Sequence, residues 1–152
     1  GAGDEKIGSI IKGSRDGGKR LRERFLVSLP ALRTLKERVD RASEKKFLKG
    51  LDGRKILIRH KHAALNSLLQ GGGAIVMKKA LTILNLDLQL NGIDAKIVAN
   101  IHDEWQIEVK EAQADYVGRA GVQAIIDAGV YYNMRCPLDG EYKIGESWYE
   151  TH

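Results

Sequence analysis

The apolar residues of this chain fall mostly three or four positions apart, with two short stretches of alternation. That pattern predicts a mainly helical protein carrying two hairpins. Residues 4 to 13 can form a short helix with Asp4 as its N-cap. The stretch SRDGGKRLRERFLVSL then restarts as a basic amphipathic helix, with Leu21, Phe25 and Leu29 four apart. Pro30 suits the first turn of a further helix that puts Leu32, Leu35 and Val39 on one face. Asp52-Gly53 is a turn signal between Phe47-Leu48 and Ile56-Leu57-Ile58, so a small hairpin is expected over residues 46 to 58. A long helix follows over 61 to 90, with a triple glycine at 71 to 73 inside it. Each glycine costs roughly 0.5–1 kcal/mol against alanine there. Either the helix breaks at that point, or a neighbour packs too close for a Cβ. Asn91-Gly92 ends the helix. A second hairpin is expected over 96 to 110, then a helix from 112 to 129 with Val117, Ala120, Ala124 and Ile125 inward. The tail RCPLDGEYKIGESWYETH reads as a short strand and loop.

Composition narrows the class. At 152 residues the chain can bury a core, and 43% hydrophobic with 30% charged residues is globular rather than disordered. No apolar run approaches the roughly 18 residues of a membrane span. No signal peptide is visible, and the first residue is glycine, which predicts a start at a cut, a processing site or an artificial boundary. The single cysteine, Cys136, excludes an internal disulfide framework and a multi-cysteine zinc site. It is expected to be a small buried side chain, and a cytoplasmic, reducing compartment is expected. Charge is uneven. Up to Lys61 there are 18 Lys and Arg against 8 Asp and Glu, and beyond it 7 against 12, giving +10 and −5. A basic half joined to an acidic half suits a polyanion on one part and cations on the other; a solvated basic helix surface is the plainer alternative.

The stretch ANIHDEWQIEV places His102, Asp103 and Glu104 in the middle of the second hairpin. A three-residue loop would pair Ile101 with Trp105, Ala99 with Ile107 and Ile97 with Val109. One continuous apolar face would result, so this register is expected, with His102-Asp103-Glu104 as the loop. Such loops favour glycine at their last position. Glutamate there suits a functional site better than it suits a turn. Adjacent carboxylates repel unless a cation or proton separates them. Mg²⁺ commonly binds through one or two carboxylates plus substrate phosphates, so the tip reads as part of a metal site; an exposed polar turn is the alternative. On the long helix, His62, Asn66 and Gln70 are spaced by four and are expected to share one face. Carboxamides on such a stripe suit the minor groove of DNA, where every base pair presents acceptors. Arg59 and Lys61 suit phosphates.

Taken together, these stretches resemble the C-terminal polymerase segment of family A DNA polymerases, the bacterial DNA polymerase I type, in its short-tailed phage branch. GAGDEKIG looks like the stretch after the family's nucleotide-binding fingers helix. FLVSLPALRTL and KGLDGRKILIR are similar to the helix and hairpin that follow. HAALNSLLQGGGA looks like the helix touching the primer–template minor groove, IHDEWQIEV like motif C, and CPLDGEYKIGESW like the usual chain end. The resemblance covers nearly the whole chain. It implies an α+β, mostly helical fold with a palm-type antiparallel β-hairpin, a partial palm and fingers. Residues 1–61 would derive from the fingers and 62–152 from the palm.

By resemblance, Asp103 would bind the catalytic Mg²⁺ ions of a two-metal site, Glu104 would support it, and His102 would lie near the primer 3′ end. Asn66 and Gln70 would contact the newest base pairs, with His62 and Arg59 as weaker DNA contacts. Gly145 and Trp148 look like packing residues, and His152 is a candidate to approach the active site. Primer–template DNA and a deoxynucleoside triphosphate (dNTP) are the implied partners, for a two-metal nucleotidyl transfer. The family's motif A aspartate and the motif B lysine, arginine and tyrosine have no counterpart here. The chain is therefore expected to be inactive alone, to need an upstream polymerase part that carries them, and to self-associate or rearrange its N-terminal half through uncovered apolar surface. The connection ASEKKF is shorter than the family's. The rival readings are a non-catalytic DNA-binding module or remnant, and a small metal nuclease on Asp103, Glu104 and His102, for which Asp87 and Asp94 are the nearest further carboxylates.

Overall fold

The computed structural model describes residues 3–152; the Gly1-Ala2 start of GAGDEKIG lies outside them. The chain divides into two compact units, one ending at Gln70 and the other running from Gly71 to His152. No helix among the described residues is long and apolar enough to cross a membrane. The architecture is mostly helical, with two separate two-stranded antiparallel sheets.

In the first unit, α1 (Asp4–Ile10) packs on α2 (Arg15–Ser28). Gly18 lies so close to the Asp4 carbonyl that a Cβ would overlap it, which brings the two backbones together. Asp4 is not the N-cap: Gly3 holds that position, and the Asp4 carboxylate, in the first helical turn, pairs with Arg22 of α2 at 3.0 Å. A charged partner across the helix pair replaces the expected local cap. Ser14 does cap α2, its hydroxyl accepting from the Gly17 N–H. Pro30 opens α3 (Pro30–Ser43) at its first turn, and Val39 of α3 is buried. The strands β1 (Phe47–Lys49) and β2 (Lys55–Leu57) pair Leu48 with Ile56, and Gly53 takes the left-handed φ of +86° that the turn requires. The core of this unit is Val39, Leu48 and Ala64, with Leu35, Ile56, Leu65 and Leu68 against it. The apolar stripe of α2 is not part of that core: Leu21 is 44% and Phe25 53% exposed, and Val27 beside them 66%.

A 3₁₀ turn, Lys61–Ala63, leads into α4 (Ala64–Leu90). The helix runs unbroken through the triple glycine, and a Cβ on Gly72 or Gly73 would meet nothing within 4 Å. At Gly72 and Gly73 neither expected explanation holds. Ile75, Val76 and Met77, buried just beyond, outweigh them: burial is worth roughly 1.5–3 kcal/mol per side chain, against roughly 0.5–1 lost per glycine.

In the second unit, Val76, Ala80, Leu84 and Leu88 form an i, i+4 row on α4. Val117, Ala124 and Ala128 of α5 (Glu111–Tyr131) complete the core. Trp105, Ile107 and Val109 of β4 (Glu104–Val109) pack against it, beside β3 (Ala95–Ile101). Gly92, at φ +65°, closes the helix before β3. The tail holds no strand; its regular element is the one-turn helix α6 (Trp148–Thr151). No sheet edge takes up the tail, which lies instead on α5. Tyr142 donates to Asp115 at 2.6 Å, and its ring fills the space a Cβ on Gly118 would occupy. Leu138 likewise sits over Gly129, 2.9 Å from where a Cβ would stand. Cys136 is exposed, not buried, because this part of the tail runs over the surface.

Candidate functional site

The hairpin of β3 and β4 is built in a register different from the expected one. Near the tip, Ile101 pairs with Glu104, Asn100 with Trp105 and Ala99 with Gln106, so the loop is only His102-Asp103. A bulge at Val98 then shifts the pairing to Ile97 with Ile107 and Ala95 with Val109. The bulge solves the packing problem that had favoured a longer loop. Below it, Ala95 and Ile97 share the face of Ile107 and Val109; above it, Ala99 and Ile101 share the face of Glu104 and Gln106. The left-handed residue is His102, at φ +55°, not Glu104. A two-residue loop with positive φ at its first position normally uses glycine. A side chain there costs roughly 1–2 kcal/mol.

Asp103 is exposed at the tip and makes no hydrogen bond or ion pair among the described residues. Glu104 is the opposite case. Its Oε1 accepts from Gln106 Nε2 at 2.5 Å and from the Trp148 indole N–H at 3.2 Å, and His152 Nδ1 lies 3.0 Å from its Oε2. Thr151 donates to Gln106 Oε1 at 3.1 Å. The Gln106 amide, then His152, hold the Glu104 carboxyl below its ordinary value. Gln106, Trp148 and Thr151 were not expected in this role. Gln106 was legible from strand alternation, which puts it on the face of Glu104. The tail residues lie 44 to 48 positions from Glu104 and carry no local signal.

The candidate residues before the helix and on its first turns belong to the first unit. Ala64, Leu65 and Leu68 turn into that unit's core, so Asn66 and Gln70, on the other side of α4, are exposed and make no hydrogen bond among the described residues. Their i, i+4 relation holds. His62 precedes the α-helix, in the 3₁₀ turn, where the angular step differs from that of an α-helix. Its ring stacks on His60, with centroids 5.5 Å apart. Arg59 is exposed before the turn. Asp87 is taken up structurally: its carboxylate accepts from Tyr116 at 2.8 Å, tying α4 to α5.

As a cation site, the tip offers a part rather than a whole. No group of three or more His, Cys, Asp and Glu side chains that could hold a metal occurs among the described residues. One unpartnered carboxylate, with a second beside it, fits the protein share of a Mg²⁺ site completed by other oxygens.

Comparison with known proteins gives the family. Residues 1–150 match the family model described as DNA polymerase family A. The chain belongs to that family. The DNA-directed DNA polymerase of Escherichia phage Phieco32 is 38% identical across the whole chain, which spans 26% of that relative. The DNA-directed DNA polymerase of Escherichia phage T7 is 34% identical, again across the whole chain and 25% of the relative. DNA polymerase I of Aquifex aeolicus is 32% identical over 94% of the chain and 25% of its own length. The chain thus spans about a quarter of the length of these relatives. Among solved structures, the POL domain of Pol1 from M. smegmatis, in complex with DNA primer-template and dNTP, shares the fold. Its TM-score is 0.76 at 20% identity, over 84% of this chain and 25% of that one.

Proposed function

We propose that this chain is the part of a template-directed DNA polymerase that supplies the motif C carboxylates and a minor-groove-sensing helix, with residues 1–61 derived from the fingers and 62–152 from the palm. The observation that carries the reading is Asp103, exposed and without a partner among the described residues, at the tip of a turn whose first residue is a strained histidine. A site that needs its carboxylate aimed outward and free of internal partners accepts such strain.

In this reading Asp103 holds a divalent cation, Mg²⁺, with Glu104 beside it. When bound, that ion supplies charge stabilisation for phosphoryl transfer. The chain's own residues position the reactants. His102, fixed by the turn, stands near the primer 3′ end. Asn66 and Gln70 donate to minor-groove acceptors, checking base-pair shape without reading sequence. Arg59, and more weakly His62, meet the DNA backbone. Primer–template DNA and dNTP are the partners.

The motif A aspartate and the motif B cations have no counterpart in these 152 residues, so the chain acts with an upstream polymerase part and is inactive without it. The exposed Phe25 and Val27 are surface for that part to cover, and in its absence the chain self-associates, which light scattering against concentration measures. The functional test mixes the chain with the matching upstream part and follows nucleotide incorporation. Activity is expected from the mixture and not from either component; primer extension by the chain by itself would refute the division of labour. Asn66→Ala and Gln70→Ala should each weaken primer–template binding about two- to tenfold, the scale of one net hydrogen bond. DNA binding that is indifferent to Mg²⁺ and to Asp103→Asn, with no incorporation in the mixture, would point instead to a non-catalytic DNA-binding module.

A further inference from the structure

The two carboxylates of the tip differ in a way that the motif does not require. Asp103 is free. Glu104 has both oxygens engaged: Oε1 by two N–H donors and Oε2 beside an imidazole nitrogen. Two of those three partners, Trp148 and His152, come from the last turn of the chain. That turn is held again by the Thr151 hydroxyl on Gln106, the neighbour of Glu104 on the same strand face. Six to fourteen residues earlier the same tail is seated on α5 at two glycine notches. The Leu138 side chain lies 2.9 Å from where a Cβ of Gly129 would stand, and the Tyr142 ring lies over Gly118. The seat is locked by Tyr142 on Asp115, whose other oxygen is held by Arg119 at 2.8 Å. The tail is therefore anchored at both ends within one compact unit, with the carboxylate of Glu104 at the far anchor.

We infer that residues 138–152 act as a positioning strap: seated on α5 through Leu138 and Tyr142, the strap holds Glu104 by both carboxylate oxygens and leaves Asp103 as the one tip carboxylate free to take a divalent cation. The inference rests on the reading of Asp103 as a cation ligand, and it adds a job for the tail. A carboxylate already accepting charge-assisted hydrogen bonds must give them up to coordinate an ion directly. With Glu104 withheld, the ion keeps more of its coordination positions for oxygens from elsewhere, as Mg²⁺ at phosphate-transfer sites commonly does. Trp148, His152, Thr151 and Tyr142 are positioning residues in this arrangement; none of them is required to touch a substrate.

A strap that only stabilised the fold would lower cation binding when cut, or leave it unchanged. A strap that withholds Glu104 predicts the reverse. The test is a Mn²⁺ titration of the 152-residue chain, read by water-proton relaxation, in the parent, Trp148→Phe combined with His152→Ala, and Asp103→Asn. The double variant should bind Mn²⁺ more tightly, on the order of tenfold, the scale of one further carboxylate made available in water. Adding Glu104→Gln to it should return the affinity to that of the parent. Unchanged or weaker binding by the double variant overturns the strap while leaving the cation reading intact. Mn²⁺ binding that survives Asp103→Asn overturns the cation reading, and the strap with it. The far anchor has its own readout in the indole N–H resonance of Trp148. Tyr142→Ala, which empties the seat without crowding α5, should speed hydrogen exchange at that N–H at least tenfold, through loss of its partner. No change there would mean that the two anchors act independently, and would overturn the strap even if Mn²⁺ binding responds.

Discussion

The described residues form two small antiparallel hairpins, and they treat their turns in opposite ways. In the first, Asp52-Gly53 obeys turn chemistry. Glycine takes the left-handed position, and the Asp52 carboxylate accepts from the Arg54 backbone N–H at 3.2 Å and from its side chain at 2.6 Å. In the second, a histidine takes the left-handed position and the aspartate after it has no partner among the described residues. One turn satisfies itself locally. The other leaves its aspartate bare and has its glutamate held by residues from the far end of the chain. A turn aspartate is therefore structural in one hairpin and available in the other, and the difference lies in whether the carboxylate has been used up.

The sharpest way to break this comparison is to neutralise the two aspartates. In the assembly with the upstream part, Asp103→Asn should lower incorporation about a thousandfold or more, from the several kcal/mol of charge stabilisation lost at 1.36 kcal/mol per tenfold. Asp52→Asn should leave incorporation within about twofold, consistent with the small effects of surface changes. A next contrast concerns what lies under each hairpin. Leu48→Ala, deleting a buried side chain, should cost about 2–5 kcal/mol in urea unfolding, while Val98→Ala at the exposed bulge should cost under about 0.5. Exchanging the turn residues should give opposite signs. Gly53→Ala should destabilise by about 1–2 kcal/mol, and His102→Gly should not destabilise at all. Thermal melting of the two variants would decide it.

The smallest effect is a titration. The Arg54 side chain, hydrogen-bonded to the Asp52 carboxyl, holds it below its ordinary 3.8. A lowered carboxyl contributes stability that is complete above its ordinary value and is lost as pH falls through the lowered one. The Arg54 amide resonance should therefore move only well into acid, and Arg54→Ala should return the midpoint toward 3.8.

How far the chain could be read from its residues follows the reach of each interaction. The helices, the two hairpins, the Asn91-Gly92 stop and the exposed Asn66 and Gln70 were legible, because periodicity and turn chemistry act over a few residues. The register of the second hairpin failed because a bulge lets β3 divide its apolar residues between two faces, and strict alternation cannot express that. The triple glycine misled for a simpler reason: burial at Ile75 to Met77 holds the helix together without any close neighbour at Gly72 or Gly73.

The sequence by itself determined the family and most of the elements, since these reside in ordered motifs and in local pattern. Tertiary structure alone decided which tip carboxylate is free. Asp103 and Glu104 are neighbours of almost identical chemistry, and what separates them is a tail 44 to 48 residues away. That tail is brought back because Tyr142 and Leu138 fit where α5 has no Cβ.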